Sequence, residues 1–419
     1  MTQTTAANRQ GHPPTLLASF LHFDVSFMLW VLLGALGIYI AEDLGLSPME
    51  KGLVVGVPIL SGSLLRLPVG LLSDRFGAKK VGVALLAFLF APLVMGWQAG
   101  DSLPQLLGVG LLLGVAGASF AVALPLASRW YPPERQGLVM GIAAAGNSGT
   151  IIANLLAPRL AEVVGWHNVL ALAMAPLVLV LAAFLLMAKE SPRTFGERSA
   201  GLDRSVLRSP DLWWFCLIYA VTFGGYVGWS SFLPILLRDQ YGVSPITAGY
   251  LTAIAALAGS GFRPLGGYLA DRFGGVPMLL ALLPAIGLIY VAAAQLPAIG
   301  VMLGLLVAGM ACLGMGNGAV FQLVPGRFPR SLGLATGVVG AAGGLGGFLL
   351  PSLLGAVRET SSSFGPGVAV LAGMAFLAVV PLAFLAAFSA GWRASWRAKG
   401  ATTILAPARR VLMAAYLGP

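Results

Sequence analysis

An all-α membrane protein, with twelve transmembrane helices in two pseudo-symmetric six-helix halves, is the fold class the sequence predicts. Three observations predict it: a composition too apolar for a water-facing surface, twelve apolar runs of membrane-crossing length, and a motif that recurs at a fixed offset. Of 419 residues, 58% are hydrophobic and 10% charged. A soluble protein needs about 25% charged residues to cover its surface, so most of this chain faces lipid. Lys and Arg number 25 against 15 Asp and Glu, a net charge of +10. In a soluble domain that excess would suggest nucleic acid; in a membrane protein it sets orientation, and no nucleic-acid partner is expected. Cys216 and Cys312 lie far apart in apolar runs, and His12, His22 and His167 lack zinc-site spacing. No disulfide, metal or cofactor is therefore implied.

Runs of about 20 apolar residues cross a hydrocarbon core as helix. In order they cover 17–40, 51–73, 79–98, 103–126, 138–161 and 167–188, then 211–237, 245–270, 276–295, 299–325, 332–357 and 364–388. The first run is too long for the apolar core of a cleaved signal peptide. Between the two sets, the charged stretch from Lys189 to Pro210 predicts a linker, 189–210, joining halves at 1–188 and 211–390. A basic tail, 391–419, follows. Its Trp392, Arg393, Trp396, Arg397 and Lys399 suit a membrane surface, where Trp and basic residues settle at headgroups, or equally a frayed end. With both termini placed in the cytoplasm, only Lys51, Arg159, Arg238 and Arg358 fall on the outer side, two arginines lie within the membrane, and the other 19 basic residues are cytoplasmic. That asymmetry predicts both termini inside.

After span two the chain reads Gly70-Leu-Leu-Ser-Asp74-Arg75-Phe-Gly77-Ala-Lys79-Lys80, and after span eight Gly267-Tyr-Leu-Ala-Asp271-Arg272-Phe-Gly274. The same offset joins Arg66 to Arg263 (263 − 66 = 197) and Ser63 to Ser260. Many secondary transporters are built from such parallel repeats, with the substrate site at the midplane between them. In the loop, Asp74 can cap a neighbouring helix and Arg75 can pair across helices. Asp74, Arg75, Asp271 and Arg272 therefore read as a conformational latch, with topology-setting charge as the alternative.

Arg66 and Arg263 each precede the loop Asp by eight residues. Eight residues of helix is about 12 Å, which sets both α-carbons well inside a core about 30 Å thick. An intramembrane Arg costs roughly 2.5–3.5 kcal/mol on insertion scales and usually faces a polar cavity; snorkelling to the surface is the alternative. Asp24 in span one is the obvious intramembrane acid, so two arginines and one aspartate leave a single positive charge. A monovalent, planar oxyanion would balance it, because the guanidinium fork donates two parallel hydrogen bonds. Ser63 and Ser260, one turn before each Arg, can orient the guanidiniums or help helices pack.

Span five carries Gly141, Gly146 and Gly149, and span eleven carries Gly340, Gly343, Gly344 and Gly347. Small residues at such spacing let helices approach closely and slide, so these glycines are assigned to helix packing and gating. Packing does not explain Asn147, whose amide needs a partner in lipid: a neighbouring helix or a ligand oxygen.

The Asp-Arg loop resembles the cytoplasmic signature of the major facilitator superfamily. The Ala-Gly-Asn-Ser-Gly run ending at Gly149 and the run Gly340-Ala-Ala-Gly-Gly-Leu-Gly-Gly-Phe-Leu-Leu-Pro351 resemble the nitrate/nitrite porter family within it. The run from Gly11 to Met28 is similar to the bacterial assimilatory branch. The resemblance spans about residues 11 to 388 and implies the major facilitator fold in a bacterial inner membrane. It also implies an anion held by Arg66 and Arg263, an aromatic sandwich of Phe120 with Tyr219 and Phe223, and an amide at Asn147. The function it implies is import of nitrate, and nitrite with it, by a monomer.

Entry of a lone anion into a negative cell is opposed by about 2.3 kcal/mol per 100 mV, so coupling is required. Proton symport is the first expectation and exchange for internal nitrite the second. His22 and Asp24 are the titratable candidates. They are two positions apart, about 200° of helix turn, so at most one faces the cavity. A monocarboxylate carrier would use the same arginines. A drug exporter would need more intramembrane carboxylate. A non-transporting anion sensor is the remaining class, since no nucleophile–base pair supports an enzyme.

Overall fold

The computed structural model describes residues 11–131, 133–190, 204–328, 332–389 and 392. All regular elements among them are helical. Among the described residues, eleven helices are long and apolar enough to cross a membrane. They are α2 (Pro48–Phe76), α3 (Ala78–Ala99), α4 (Leu103–Ser128), α5 (Val139–Val164), α6 (Trp166–Met187), α7 (Pro210–Tyr241), α8 (Pro245–Phe273), α9 (Gly275–Ala294), α10 (Ile299–Arg327), α11 (Leu334–Ser361) and α12 (Gly365–Phe388). The first expected span, here α1, runs longer than 17–40 and is broken into Pro13–Trp30, Leu32–Ala35 and Gly37–Leu44.

The internal repeat extends to the element boundaries. Pro13 and Pro210, Pro48 and Pro245, and Phe76 and Phe273 are helix ends separated by the offset that separates the arginines. Local chemistry repeats with them. Ser47 caps α2 through the Glu50 amide, and Ser244 caps α8 through that of Thr247. Each serine oxygen satisfies an otherwise orphaned N–H of the first turn. Gly77 and Gly274 turn the chain at φ 102° and 95°, where a Cβ would be strained.

The loop signature works differently from expectation. Asp74 accepts from Arg129 of its own half at 2.9 Å. The cap on α3 is Glu190 instead, whose two oxygens accept from the Ala78 and Lys79 amides at 3.0 Å each. Arg75 and Arg272 lie over Phe76 and Phe273, their own chain neighbours, rather than pairing across helices. Asp271 and Arg272 are exposed. Trp392 also departs from a surface role. It is fully buried, stacks on Phe215 at 5.0 Å and donates to Asp211 at 2.7 Å. Arg393, Trp396, Arg397 and Lys399 lie outside the described residues, as does most of the linker.

α11 packs between α2 and α7. Gly52 and Gly355 meet Pro351 and Pro48 across α2 and α11, while Gly224 and Gly346 abut between α7 and α11. At the end away from Asp74, polar side chains tie the two halves together. Lys51 pairs with Asp239 at 2.7 Å, and Arg238 donates from Nε and Nη2 to Glu42 at 3.0 and 2.8 Å. Glu359 accepts from Ser47 Oγ and the Met49 amide. At the Asp74 end, the ion pairs among described residues, Arg129–Asp74 and Arg327–Asp211, stay within one half.

Candidate anion-binding site

Arg66 on α2 is 1% exposed and held on two of its three nitrogens. Nε donates to the Gly117 carbonyl at 3.0 Å and Nη1 to the Gly340 carbonyl at 2.6 Å, so the side chain bridges α4 of one half and α11 of the other. Gly117 lies in a stretch of tighter 3-10 winding, Gly114–Ser119, that interrupts α4; such mid-helix stretches often mark functional positions. Three ring faces surround the guanidinium: Trp30 at 5.3 Å, Phe120 at 5.4 Å and Phe223 at 5.0 Å. Cation–π contacts of this kind supply about 0.5–2 kcal/mol each in a desolvated site. Together with the two charged hydrogen bonds they offset the cost of placing Arg66 at this depth.

Arg263 on α8 is half-buried, with Cζ 6.0 Å above the Phe321 ring. Phe321 meets Tyr219 edge-on at 5.0 Å and Phe120 at 5.9 Å. Tyr219 and Phe223, one turn apart on α7, stack at 5.0 Å with planes 8° apart. The two guanidiniums and the Tyr219 hydroxyl lie within electrostatic range of one another. Arg66 Nη2, Arg263 Nη1 and Tyr219 Oη are each buried and make no hydrogen bond of normal length and angle among the described residues, although the Arg263 guanidinium and the Tyr219 hydroxyl face one another near hydrogen-bonding range. Leaving a buried polar atom unpaired costs about 1–3 kcal/mol, more when charged. All three can donate, so the group they complement is an acceptor, and the charges make it an anion.

The structure thus brings Arg66, Arg263, Phe120, Tyr219 and Phe223 together. It does not bring Asn147 onto the guanidiniums. That residue is buried in the short 3-10 turn Ala145–Ser148, its Oδ1 unpartnered, and its carbonyl accepts from Thr150 Oγ1 at 2.9 Å. Ser63 donates to the Ile59 carbonyl and Ser260 bonds Tyr226, so neither serine orients an arginine. Gly340 faces Arg66, Gly343 faces Tyr219 and Phe223, Gly344 meets Ser63, and Gly347 meets Ile59 and Val227. Gly146 and Gly149 pack on α1 at Phe20, Asp24 and Met28. Gly141 is exposed and meets nothing, so it has no packing role among the described residues.

The titratable pair is split, as its spacing requires. His22 is fully buried away from the arginines, bonding the Gly82 carbonyl at 3.2 Å and lying against Phe184 at 4.8 Å. Asp24 accepts from Ser148 Oγ at 2.6 Å. It pairs with neither arginine, so among the described residues the site holds two guanidiniums with no ion-paired carboxylate rather than one net charge.

Sequence reasoning missed Trp30, Gly117 and Phe321. Trp30 had a signal, because a tryptophan far from the interfacial belts is unusual. Phe321 had none among 21 phenylalanines, and the repeat misleads, since the partner of Phe120 at the offset is Asn317. A separate apolar groove of about 420 Å³ on α8 is lined by Ile254, Leu257, Ala258, Gly261, Phe262 and Leu265 and by none of these residues.

Residues 18–351 match the family model of the Major Facilitator Superfamily. The chain is 34% identical to the "Nitrite extrusion protein" of Bacillus subtilis over 360 residues, covering 86% of this chain and 91% of that one. It is 36% identical to the "Probable nitrate/nitrite transporter NarK2" of Mycobacterium tuberculosis over 361 residues, covering 84% and 91%. With the "Probable nitrate/nitrite antiporter NarK1" of Thermus thermophilus it shares 33% identity over 372 residues, 81% and 83% of the two chains. The crystal structure of a bacterial homologue of the human lysosomal transporter Spinster, inward-facing and occupied, superposes with a TM-score of 0.62 at 21% identity, covering 91% of this chain and 96% of that chain; that likeness shows the fold. The eleven apolar spans among the described residues, the repeat and these relatives together make the chain a member of the major facilitator superfamily and, within it, of the nitrate/nitrite porter family.

Proposed function

We propose that the protein carries nitrate, and nitrite with it, across a bacterial inner membrane by alternating access. The observation that carries the reading is the set of three unpartnered buried donors on Arg66, Arg263 and Tyr219. A flat, monovalent oxyanion offers acceptors to all three and fits among the rings of Phe120, Phe223 and Phe321. The names of the relatives support the same ion. Asn147 joins the site only after a shift of α5.

The Lys51–Asp239, Arg238–Glu42 and Glu359 contacts are the closed outer gate of that cycle, with both termini on the opposite, cytoplasmic side. Lys51→Glu sets like charges against Asp239 and opens this gate. Transport is expected to fall roughly fivefold, an effect in the range of partly exposed charge pairs, and Asp239→Lys in the same chain restores it. Nitrate flux in the single and double variants checks this; a double variant as slow as the single one removes the pair from the gate.

For coupling, the structure favours exchange of nitrate for nitrite. Two guanidiniums without a carboxylate repel one another when empty, so the halves move most readily with an anion bound. Symport, the first expectation from the sequence, becomes the second reading, and Asp24, half-buried beside Ser148, is its candidate carboxylate. Proteoliposomes decide between them and test the function itself. Nitrite-loaded vesicles are expected to accumulate labelled nitrate with no pH gradient, while unloaded vesicles with an inward proton gradient are not. The reverse result makes the protein a symporter, and no flux in either arm removes the transport reading.

A further inference from the structure

Tyr226 belongs to no part of the anion site described above, yet its hydroxyl sits at the centre of a polar seam between the two halves. Tyr226 Oη lies 2.7 Å from Ser260 Oγ on α8 and 3.1 Å from Thr150 Oγ1 on α5. Thr150 Oγ1 in turn donates to the Asn147 carbonyl at 2.9 Å. Each hydroxyl has one proton, so donor counting gives a single direction: Ser260 donates to Tyr226, Tyr226 to Thr150, and Thr150 to Asn147. A longer contact of 3.5 Å joins Tyr226 Oη to the Asn147 carbonyl directly. Below this chain, the Asn154 amide donates to the Thr150 and Ser230 carbonyls at 2.8 and 3.2 Å, again crossing from α5 to α7. Tyr226, Thr150, Asn147, Asn154 and Ser230 are all buried.

One end of this chain and its centre neighbour the anion site. Ser260 lies one helical turn before Arg263, and the Tyr226 ring is 6.4 Å from Phe223, which covers Arg66 and stacks on Tyr219. The Tyr226 ring fills the space that a Cβ at Gly259 would occupy, so it lies directly against α8. The bonds to Ser260 stay within one half; those to Thr150 and Asn147 cross to the other. Separating α5 from α8 must break the second set and leave the first intact.

We propose that Tyr226 is the positioning residue that couples the anion site to closure of the two halves: its hydroxyl locks α5 onto α7 and α8 when the ion-paired end is shut. The inference rests on the anion-carrier reading above and adds to it a residue that touches no ion. In this picture an anion on Arg263 sets the turn carrying Ser260, and Tyr226 passes that position to Thr150 and the Asn147 turn.

The test uses the full chain in proteoliposomes with Cys216→Ala and Cys312→Ala and one reporter, Ile235→Cys. Ile235 is 2% exposed and packs on Gly37 of α1, across the halves at the ion-paired end. A membrane-impermeant maleimide added outside reads whether that end opens. In the parent, nitrate is expected to change the labelling rate. Tyr226→Phe keeps the ring and removes the hydroxyl; labelling without anion should rise about tenfold, the scale of one or two hydrogen bonds, and cease to respond to nitrate. The KM for nitrate should rise while flux at saturating nitrate persists. Thr150→Val, which cuts the next link, should reproduce the shift. Labelling of Tyr226→Phe at the parent rate, or faster labelling with the nitrate response intact, overturns the proposal. Should the parent carry no nitrate, the functional reading falls separately, and the anion-free labelling difference still decides whether Tyr226 holds the halves together.

Discussion

Replacing Arg66 or Arg263 with Lys is expected to abolish nitrate transport while the protein remains in the membrane. Arg66 uses Nε and Nη1 to bridge carbonyls on α4 and α11 and has Nη2 left for an ion. A lysine ammonium is a point charge on a flexible stem and cannot hold two helices and face the site in one geometry. Hydrogen bonds to charged groups contribute about 1.5–3 kcal/mol each, so losing one to the ion corresponds to roughly a hundredfold fall in transport. The two variants differ in a second respect. Arg66→Lys also loosens a buried bridge and lowers stability, whereas Arg263 is half-buried and its variant reports more directly on the ion. Uptake normalised to membrane-embedded protein checks both, and normal nitrate accumulation by Arg263→Lys sinks the clamp.

One amino-acid change at two glycines of α5 should have opposite outcomes. A Cβ at Gly149 would overlap the Asp24 carbonyl and crowd the Met28 amide, both backbone groups of α1 that cannot rotate away. Gly149→Ala must push α1 and α5 apart, an overpacking cost of about 3 kcal/mol. Gly141 meets nothing within contact range among the described residues, so Gly141→Ala should gain about 0.5–1 kcal/mol of helix stability. Thermal unfolding in detergent reads both. A Gly149→Ala protein that melts with the parent would mean that α1 and α5 are not in backbone contact.

The helices were legible because lipid enforces them, and their repeat because its motif recurs at one offset. Every backbone group must bond within the helix, so apolar length alone located the spans to within a few residues. The arginines were legible because a charge in oil needs a reason. What escaped was whatever depends on the third dimension. The break of α1 after Trp30 has no proline or charge to mark it. The 3-10 turns holding Gly117 and Asn147 use the same small residues that helix packing uses. Phe321 became a site residue only through the turn of α10, and Gly141 lost its assignment because its helix face has no neighbour. Charge counting paired Asp24 with the arginines by elimination. Ser148, a short-range partner on the adjacent helix, outcompeted them.

One arginine comes from each half, and this has a consequence for release. On the proposed reading, an ion gripped by Arg66 and Arg263 would straddle the seam between two halves that swing apart. Neither can move off without surrendering one of the two grips, so the stroke that opens a route also weakens the hold on the passenger. Unloading then needs no separate trigger, and the same geometry serves departure on either side of the bilayer.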